Sequence, residues 1–224
     1  MQKGVAKTVI GLVGFMALLL GLFVHRILSP AAMTREQMSE QGLFVYEIPR
    51  RFNDFTLADY NNQPVTRQYF KGKWTLVFFG YTSCPDVCPT TLASIANFHK
   101  LLRDKNEADA GRLQVLFVSV DTMRDTPEKL KAYTQYFNPA YLGATGEYLQ
   151  LFNFGRQLNI AFGYQAGKDG AIDVSHSGEI AVINPEGDFH GFFKSPPDPQ
   201  KMLTTYRSML LNWEQAAALA VAGH

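Results

Sequence analysis

The sequence predicts an α/β domain on a mixed sheet, preceded by an N-terminal transmembrane helix. Strand and helix patterns alternate between residues 75 and 137, and a β-hairpin and a closing helix follow. Alternating strands and helices favour parallel pairing, whereas a hairpin contributes antiparallel strands. The 224 residues suffice for one buried domain and an appendage, and 46% hydrophobic with 18% charged residues is typical of a globular chain.

The amino terminus is predicted to cross a membrane. Residues 8–25 contain no Asp, Glu, Lys or Arg, and this run is near the lower limit of about 17–25 residues for a bilayer span. Lys3 and Lys7 precede it, which places the N-terminus in the cytoplasm. A cleaved signal peptide is the alternative, although its apolar core is usually about 7–15 residues long.

This segment also sets the expected location and domain plan. Since no long Arg- and Ser-rich presequence is present, we expect a single-pass protein of a bacterial inner membrane with its domain in the periplasm. The predicted parts are the cytoplasmic N-terminus and anchor at residues 1–28, a polar tether at 29–42, the folded domain at 43–213 and a tail at 214–224.

The first half of the folded domain predicts extended chain followed by a buried strand–helix–strand unit. Residues 43–57 are expected to be extended, with a turn at 59–63. The continuous apolar runs at 75–79 and 115–120 predict strands buried on both faces, and 90–102 has helical spacing. Next, Thr126 and Pro127 predict the cap and first position of a helix that runs to about residue 137.

The second half predicts helices around a hairpin. Residues 147–158 fit a helix and 160–164 a strand. Residues 179–183 and 189–193 flank Asn184-Pro185-Glu186-Gly187, whose Pro and Gly positions suit a type I turn. A closing helix is predicted at 198–213, and the Ala-rich end from residue 216 is expected to fray.

The chain has only two cysteines, Cys84 and Cys88, which lie between the first buried strand and the helix after it. A thiol near a helix start tends towards the thiolate, which is both the nucleophile and the metal ligand. A purely structural disulfide is disfavoured, because closing so short a loop stabilises by only about 2 kcal/mol. The C-x-x-x-C spacing leaves redox exchange and metal binding open, and two thiolates suit Cu(I) or Zn.

The five histidines differ in their fitness as a third ligand. His25 and His224 lie in the terminal segments, and His99 lies about 16 Å along the helix that follows Cys88. His176 and His190 flank the hairpin and would be about 17 Å apart along a regular strand, so they cannot share one site. His176 sits at a loop end, where sites are built, while His190 lies inside a strand and is interpreted as structural.

Three blocks of sequence resemble the Sco/SenC family of copper chaperones for cytochrome c oxidase. The first is Phe79-Gly80-Tyr81-Thr82-Ser83-Cys84-Pro85-Asp86-Val87-Cys88-Pro89. The second is Val118-Ser119-Val120-Asp121 with Arg124-Asp125-Thr126-Pro127, and the third is the single His ahead of residues 180–187. The resemblance covers roughly residues 43–213 with the blocks in order, and it implies a thioredoxin-like fold.

The resemblance implies a function and a set of site residues. Cys84, Cys88 and His176 would bind copper, as Cu(I), Cu(II) or both. Asp121 would be an acid that supports the ligands. The recipient would be the dinuclear copper centre of cytochrome c oxidase subunit II, or another copper chaperone. This chain departs from many members at Thr122, where they have Pro, and at Ser175, where they have Asp.

Other function classes were weighed against this one. Some members of the family reduce the cysteines of the oxidase subunit, so Cys84 and Cys88 are also candidates for a redox disulfide in a thiol–disulfide reductase. Residues 140–184 contain no proline, which argues against a generic oxidoreductase with a cis-proline opposite its cysteines. Tyr81 replaces the Thr of a peroxidase Thr-x-x-Cys motif. A net charge of +1 without a basic stripe predicts no nucleic-acid partner. We expect a metallochaperone rather than an enzyme.

Overall fold

A computed structural model describes residues 2–28, 32–166 and 172–222 of the chain. The chain divides into two compact units, Met1–Ala32 and Met33–His224. Helix α1 (Gln2–Leu28) makes up the described part of the first unit. The second unit contains every strand and the remaining helices, and it holds all of the candidate site residues.

The predicted membrane anchor is wrong. Among the described residues, no helix is both long enough and apolar enough to span a bilayer. Three predictions are therefore corrected. They are the transmembrane helix, the membrane as a partner through that helix, and the single-pass inner-membrane location with a periplasmic domain.

The second unit is an α/β fold. Its helices are α2 (Arg35–Glu40), α3 (Val87–Lys105), α4 (Glu107–Gly111), α5 (Pro127–Phe137), α6 (Tyr148–Gln157) and α7 (Pro199–Ala222), with a 3-10 turn at Arg67–Phe70. Its strands are β1 (Leu43–Arg50), β2 (Leu57–Asp59), β3 (Pro64–Val65), β4 (Trp74–Gly80), β5 (Leu113–Ser119), β6 (Leu142–Thr145), β7 (Phe162–Ala166), β8 (Ile172–His176), β9 (Ile180–Ile183) and β10 (Phe189–Phe193).

Eight strands form one mixed sheet in the order β1-β10-β9-β4-β5-β6-β2-β3. Strands β4, β5 and β6 are parallel, whereas β9 pairs with β4 in the antiparallel sense. All seven residues of β4 are buried, because hydrophobic clusters cover both faces of the sheet. Alternation along the strand directs Phe78 into one cluster and Phe79 into the other. The mixed sheet is the arrangement that the sequence predicts.

Helix starts were predicted more accurately than helix ends. Thr126 caps α5 by accepting the backbone N–H of Lys129 at 3.4 Å, and Pro127 is its first residue. Helix α7 starts at the expected Pro199 but runs to Ala222, so the tail does not fray where predicted. Helix α2, with a capping box between Thr34 and Gln37, lies within the predicted tether, of which residues 29–31 are outside the described residues.

The hairpin forms, but its register differs from the prediction. Its turn closes with the Gly187 N–H donating to the Asn184 carbonyl at 2.9 Å. The pairing then shifts between Phe189 and Gly191, so that Phe192 rather than His190 lies opposite Ala181. His190 therefore occupies a β-bulge, which a strict period of two cannot anticipate.

His176 does not continue the hairpin strand, as the sequence had suggested. It ends β8, which pairs with β7 in a separate two-stranded ribbon where His176 lies opposite Phe162. Ser177 closes the base of this ribbon, because its N–H donates to the Ala161 carbonyl at 2.8 Å and its hydroxyl accepts the Ala161 N–H at 3.1 Å. The ribbon thus fixes the backbone next to His176.

Candidate metal centre

The two cysteines lie at the carboxyl end of β4, on the loop into α3. Cys88 is the second residue of α3, whose first residue is Val87, three residues before the predicted helical spacing begins at residue 90. The Cys88 backbone N–H donates to the Cys84 sulfur at 3.4 Å, which holds that sulfur at the start of the helix. Neither cysteine is in a disulfide, so both sulfurs are available as ligands.

His176 faces the cysteines with one nitrogen and a carbonyl with the other. Its Nδ1 lies 2.9 Å from the Ser177 carbonyl, which only accepts, so Nδ1 carries the hydrogen. Its Nε2 lies 3.2 Å from the Cys88 sulfur. The ligand atoms of Cys84, Cys88 and His176 are all within 4.8 Å of one another. The ribbon and the loop therefore bring together two sulfurs and one imidazole nitrogen with its lone pair directed at them.

The two sulfurs differ in exposure and the site favours neutral side chains. Cys88 is fully buried, while Cys84 is partly exposed. Burial raises the pKa of the Cys88 thiol, although a hydrogen bond from the Tyr81 backbone opposes the rise. Burial also lowers the pKa of His176, against the effect of its bond to Ser177. At neutral pH the site holds a thiol at Cys88 and a neutral imidazole, and a metal ion would replace the thiol proton.

Aromatic rings and a glycine shape the walls of the site. The rings of Phe78 and Tyr81 lie edge-on to His176, with centroids 5.8 and 6.1 Å away. A Cβ on Gly80 would lie 2.8 Å from the Cys88 sulfur and 2.8 Å from the Phe117 ring. Only glycine at this position lets the Cys88 sulfur approach the strand so closely.

Tyr81 links the loop to its surroundings. The Tyr81 carbonyl accepts the Cys84 N–H at 3.2 Å. Burial, with the neighbouring Cys84 as a second cause, raises the pKa of Tyr81 to about 12. The phenol therefore stays protonated at neutral pH and remains a hydrogen-bond donor beside Cys84.

Asp121 lies next to the site but reaches it through Arg124. The Arg124 guanidinium donates to the Asp121 carboxylate, and the Arg124 backbone N–H donates to the same carboxylate at 3.3 Å. The guanidinium carbon is 6.0 Å from the centre of the Tyr81 ring. Asp121 thus forms the outer end of a chain of contacts that leads through Arg124 and Tyr81 towards Cys84.

Asp125 is a supporting residue that the sequence interpretation missed, because it was named there only within a block of family resemblance. Its side chain is buried and accepts the Thr82 N–H at 2.8 Å, the Thr82 hydroxyl at 2.6 Å and the Ser119 hydroxyl at 2.5 Å. These bonds tie the loop that carries Cys84 to the end of β5. The sequence shows two acids, Asp121 and Asp125, four residues apart after a strand. It does not show which of the two side chains turns inward.

The other described histidines of the folded unit have different surroundings. His99 lies against Tyr141, with its Nδ1 3.4 Å from the phenol oxygen. His190 packs edge-on to Trp74 and Trp213. The side chain of His25 and the whole of His224 lie outside the described residues.

Comparison with known proteins identifies the family. The profile of the SCO1/SenC family matches residues 48–211. The chain belongs to the SCO1/SenC family. A protein of Stutzerimonas stutzeri is 34% identical over 74% of this chain and 80% of its own length.

Solved structures of SCO1/SenC proteins share the fold. The copper-bound ScoI of Arabidopsis thaliana is 27% identical with a TM-score of 0.65, over 72% of this chain and 98% of that one. The copper-bound ScoI of Bradyrhizobium japonicum is 32% identical with a TM-score of 0.60, over 70% and 97% of the two chains. The fold is thioredoxin-like, as the resemblance implied.

Proposed function

We propose that this SCO1/SenC protein binds copper through Cys84, Cys88 and His176 and carries it to another protein. The observation that carries the proposal is the cluster of two sulfurs and one imidazole nitrogen within 4.8 Å. Thiolate and imidazole ligands suit copper, and related proteins have been solved with copper bound. The copper-binding domain is taken as residues 43–213.

The proposed recipient is the dinuclear copper centre of cytochrome c oxidase subunit II, directly or through another copper chaperone. The donor set serves Cu(I) with two thiolates and one imidazole, and Cu(II) with the same ligands. Because Cys84 is partly exposed while Cys88 is buried, an incoming ligand from the recipient would displace Cys84 first. Cys88 and His176 then hold the ion until a second incoming ligand releases it.

Asp121 is proposed to support the ligands indirectly, through Arg124 and Tyr81. Its ion pair orients Arg124 over the Tyr81 ring, and Tyr81 is adjacent to Cys84 and His176. Outer partners of this kind tune metal affinity by holding ligand geometry. Ser175, where many members have Asp, gives no carboxylate beside His176, and the Ser177 carbonyl fixes the imidazole tautomer instead.

The test is copper binding by variants of each ligand. Cys84→Ser, Cys88→Ser and His176→Ala should each lower the affinity for one equivalent of Cu(I) by at least about a hundredfold, since even changes in outer partners cost about 10–100-fold. His99→Gln is the matched control, because His99 lies against Tyr141, and it should leave the affinity unchanged. Equal affinity in all three ligand variants and wild type would rule out the site.

Delivery is tested with the copper-loaded chain and the soluble domain of an oxidase subunit II. We expect copper to move to the subunit, with the growth of its dinuclear-centre spectrum. Transfer should fail with the Cys88→Ser variant loaded at the same copper concentration. Retention of all copper by the wild-type chain would limit the function to binding.

A thiol–disulfide reductase is the second candidate, and the unequal exposure of the cysteines favours it. The accessible Cys84 thiolate would attack a partner disulfide, and Cys88 would then displace the partner's thiolate from the mixed disulfide. Two electrons and two protons pass to the partner, and a Cys84–Cys88 disulfide remains. Reduction of an oxidised subunit II peptide by the His176→Ala variant at the wild-type rate, with copper transfer lost, would assign the reductase role separately.

A further inference from the structure

A cavity at the opposite end of β4 contains a second group of side chains that suit a soft metal ion. Its volume is about 330 Å³, and it lies between α2, β1, β10 and α7. Its lining includes Met38 and Met209, which carry thioethers, and His190, which carries an imidazole. β4 extends from Trp74, which packs on His190, to Gly80 at the cysteine loop, so the two places are about 20 Å apart.

His190 has the properties of an unused ligand. It is only 7% exposed, and its Nδ1 is buried with no hydrogen-bond partner in the described part of the chain. Most buried polar atoms have a partner, so an orphan nitrogen requires an explanation. Burial lowers the pKa of His190 to about 4, so the ring is neutral at physiological pH and one of its nitrogens has a free lone pair.

The thioethers are held in place by the fold. Met38 and Met209 are each 1% exposed. Met209 lies one helical turn before Trp213 on α7, and Trp213 packs against His190 with ring centroids 5.4 Å apart. Met38, Met209 and His190 therefore line the same cavity from three different elements.

The chemistry of this lining selects the kind of ion. Thioether sulfur prefers Cu(I) among the common biological ions, and Zn²⁺ in proteins takes thiolate, imidazole or carboxylate ligands. The acid that borders the cavity, Glu47, is 78% exposed and paired with Arg35 at 3.3 Å. A neutral donor set in a largely apolar cavity favours a monovalent over a divalent ion, because burying charge is costly.

We propose that Met38, Met209 and His190 form a second, thiolate-free site for Cu(I). This site does not depend on the proposed copper site at Cys84, Cys88 and His176. It is expected to bind more weakly than the thiolate site and to fill after it.

The test uses the full chain with Cys84→Ser and Cys88→Ser, titrated with Cu(I) without oxygen against a colorimetric Cu(I) chelator. The chain has two tryptophans, and both pack on His190, so their fluorescence reports on this cavity. We expect one equivalent of Cu(I) to bind, with a change in tryptophan emission that saturates at one equivalent, and no such change with Zn(II).

Two further substitutions and a matched control locate the ion. His190→Leu and the nearly isosteric Met209→Leu should weaken Cu(I) binding by at least about tenfold, as expected for loss of a ligand. Met202→Leu changes another buried methionine of α7 that does not border this cavity, and it should bind as before. Absence of Cu(I) binding, equal binding of Zn(II), or binding that survives both His190→Leu and Met209→Leu would overturn the proposal.

Discussion

One histidine lies near each end of β4, and the two rings differ in the partner of their Nδ1 atom. His176 donates from Nδ1 to the Ser177 carbonyl and presents Nε2 to the Cys88 sulfur at 3.2 Å. His190 leaves Nδ1 without a partner in the described part of the chain and packs between two tryptophan edges. The first ring has a fixed tautomer and an oriented lone pair, whereas the second is packed against Trp74 and Trp213.

This contrast lies in the hydrogen-bond partners of the two rings rather than in their charge. Burial lowers the pKa of both rings, so both are neutral ligands at physiological pH. Hydrogen bonds also fix the loop that carries Cys84 through Asp125, and the base of the ribbon next to His176 through Ser177. The cysteine end therefore has the order that a metal site needs, while the tryptophan end borders a cavity lined by Met38 and Met209.

The largest expected effect comes from removing the anchor of the cysteine loop. Asp125→Ala leaves the Thr82 N–H and the Ser119 hydroxyl without their charged acceptor, and should lower the free energy of unfolding by about 4 kcal/mol. Copper affinity should fall as well, because Thr82 lies two residues before Cys84. Urea unfolding and chelator competition measure the two effects, and an unchanged urea midpoint would contradict the assigned role.

The next largest effect is expected from lowering the pH, which should reduce the stability of the fold through His190. Unfolded His190 titrates near pH 6.5 and folded His190 near pH 4, so between these values the unfolded chain binds the extra proton and acid destabilises the fold. His190 should contribute a loss of about 3 kcal/mol from pH 7 to pH 4. The wild-type chain should lose that much more stability over this range than His190→Leu does. Parallel stability curves for the two proteins would show that His190 is not buried as described.

A methyl group added beside the Cys88 sulfur should have a smaller effect on stability, and it should weaken copper binding selectively. Gly80→Ala places a methyl group 2.8 Å from the Cys88 sulfur, which should cost about 2 kcal/mol and weaken copper binding. Gly143→Ala is the control on β6, two strands away in the sheet, since its methyl group meets Thr134 and Leu130 instead. Isothermal copper titrations should change for Gly80→Ala alone, and equal losses in both variants would remove Gly80 from the site.

The smallest effect is expected at Asp121. Asp121→Asn weakens a pair whose Arg124 side chain is 39% exposed, so stability should fall by about 1 kcal/mol or less. Copper affinity should change by no more than about tenfold, because Asp121 acts through Arg124 and Tyr81. An affinity loss as large as that of His176→Ala would place Asp121 among the direct ligands.

Local patterns predicted the core of the fold, and non-local contacts account for the misses. The buried strands, the Thr126 cap and the turn at Asn184–Gly187 follow from rules that span a few residues. The short strands β2, β3 and β6 were missed because pairing with neighbours, rather than their own sequence, makes them strands. The bulge at His190 was missed for the same reason.

The candidate site also depends on contacts between residues that are far apart in the sequence. The residues and their resemblance pointed to Cys84, Cys88 and His176, and these three do lie together. The ribbon that carries His176 was not foreseen, since it depends on the pairing of β7 with β8. Asp121 and Asp125 follow the same strand, and only the packed structure shows that Asp125 holds the loop.

X-ray absorption of the chain loaded with one equivalent of Cu(I) tests the central claim most directly. The account predicts a copper ion with two sulfur neighbours and one imidazole, and the imidazole signal should disappear in His176→Ala and persist in His190→Leu. An ion bound to a single sulfur, or an imidazole signal that persists in His176→Ala and disappears in His190→Leu, would contradict the assignment of the copper site to the cysteine end of β4.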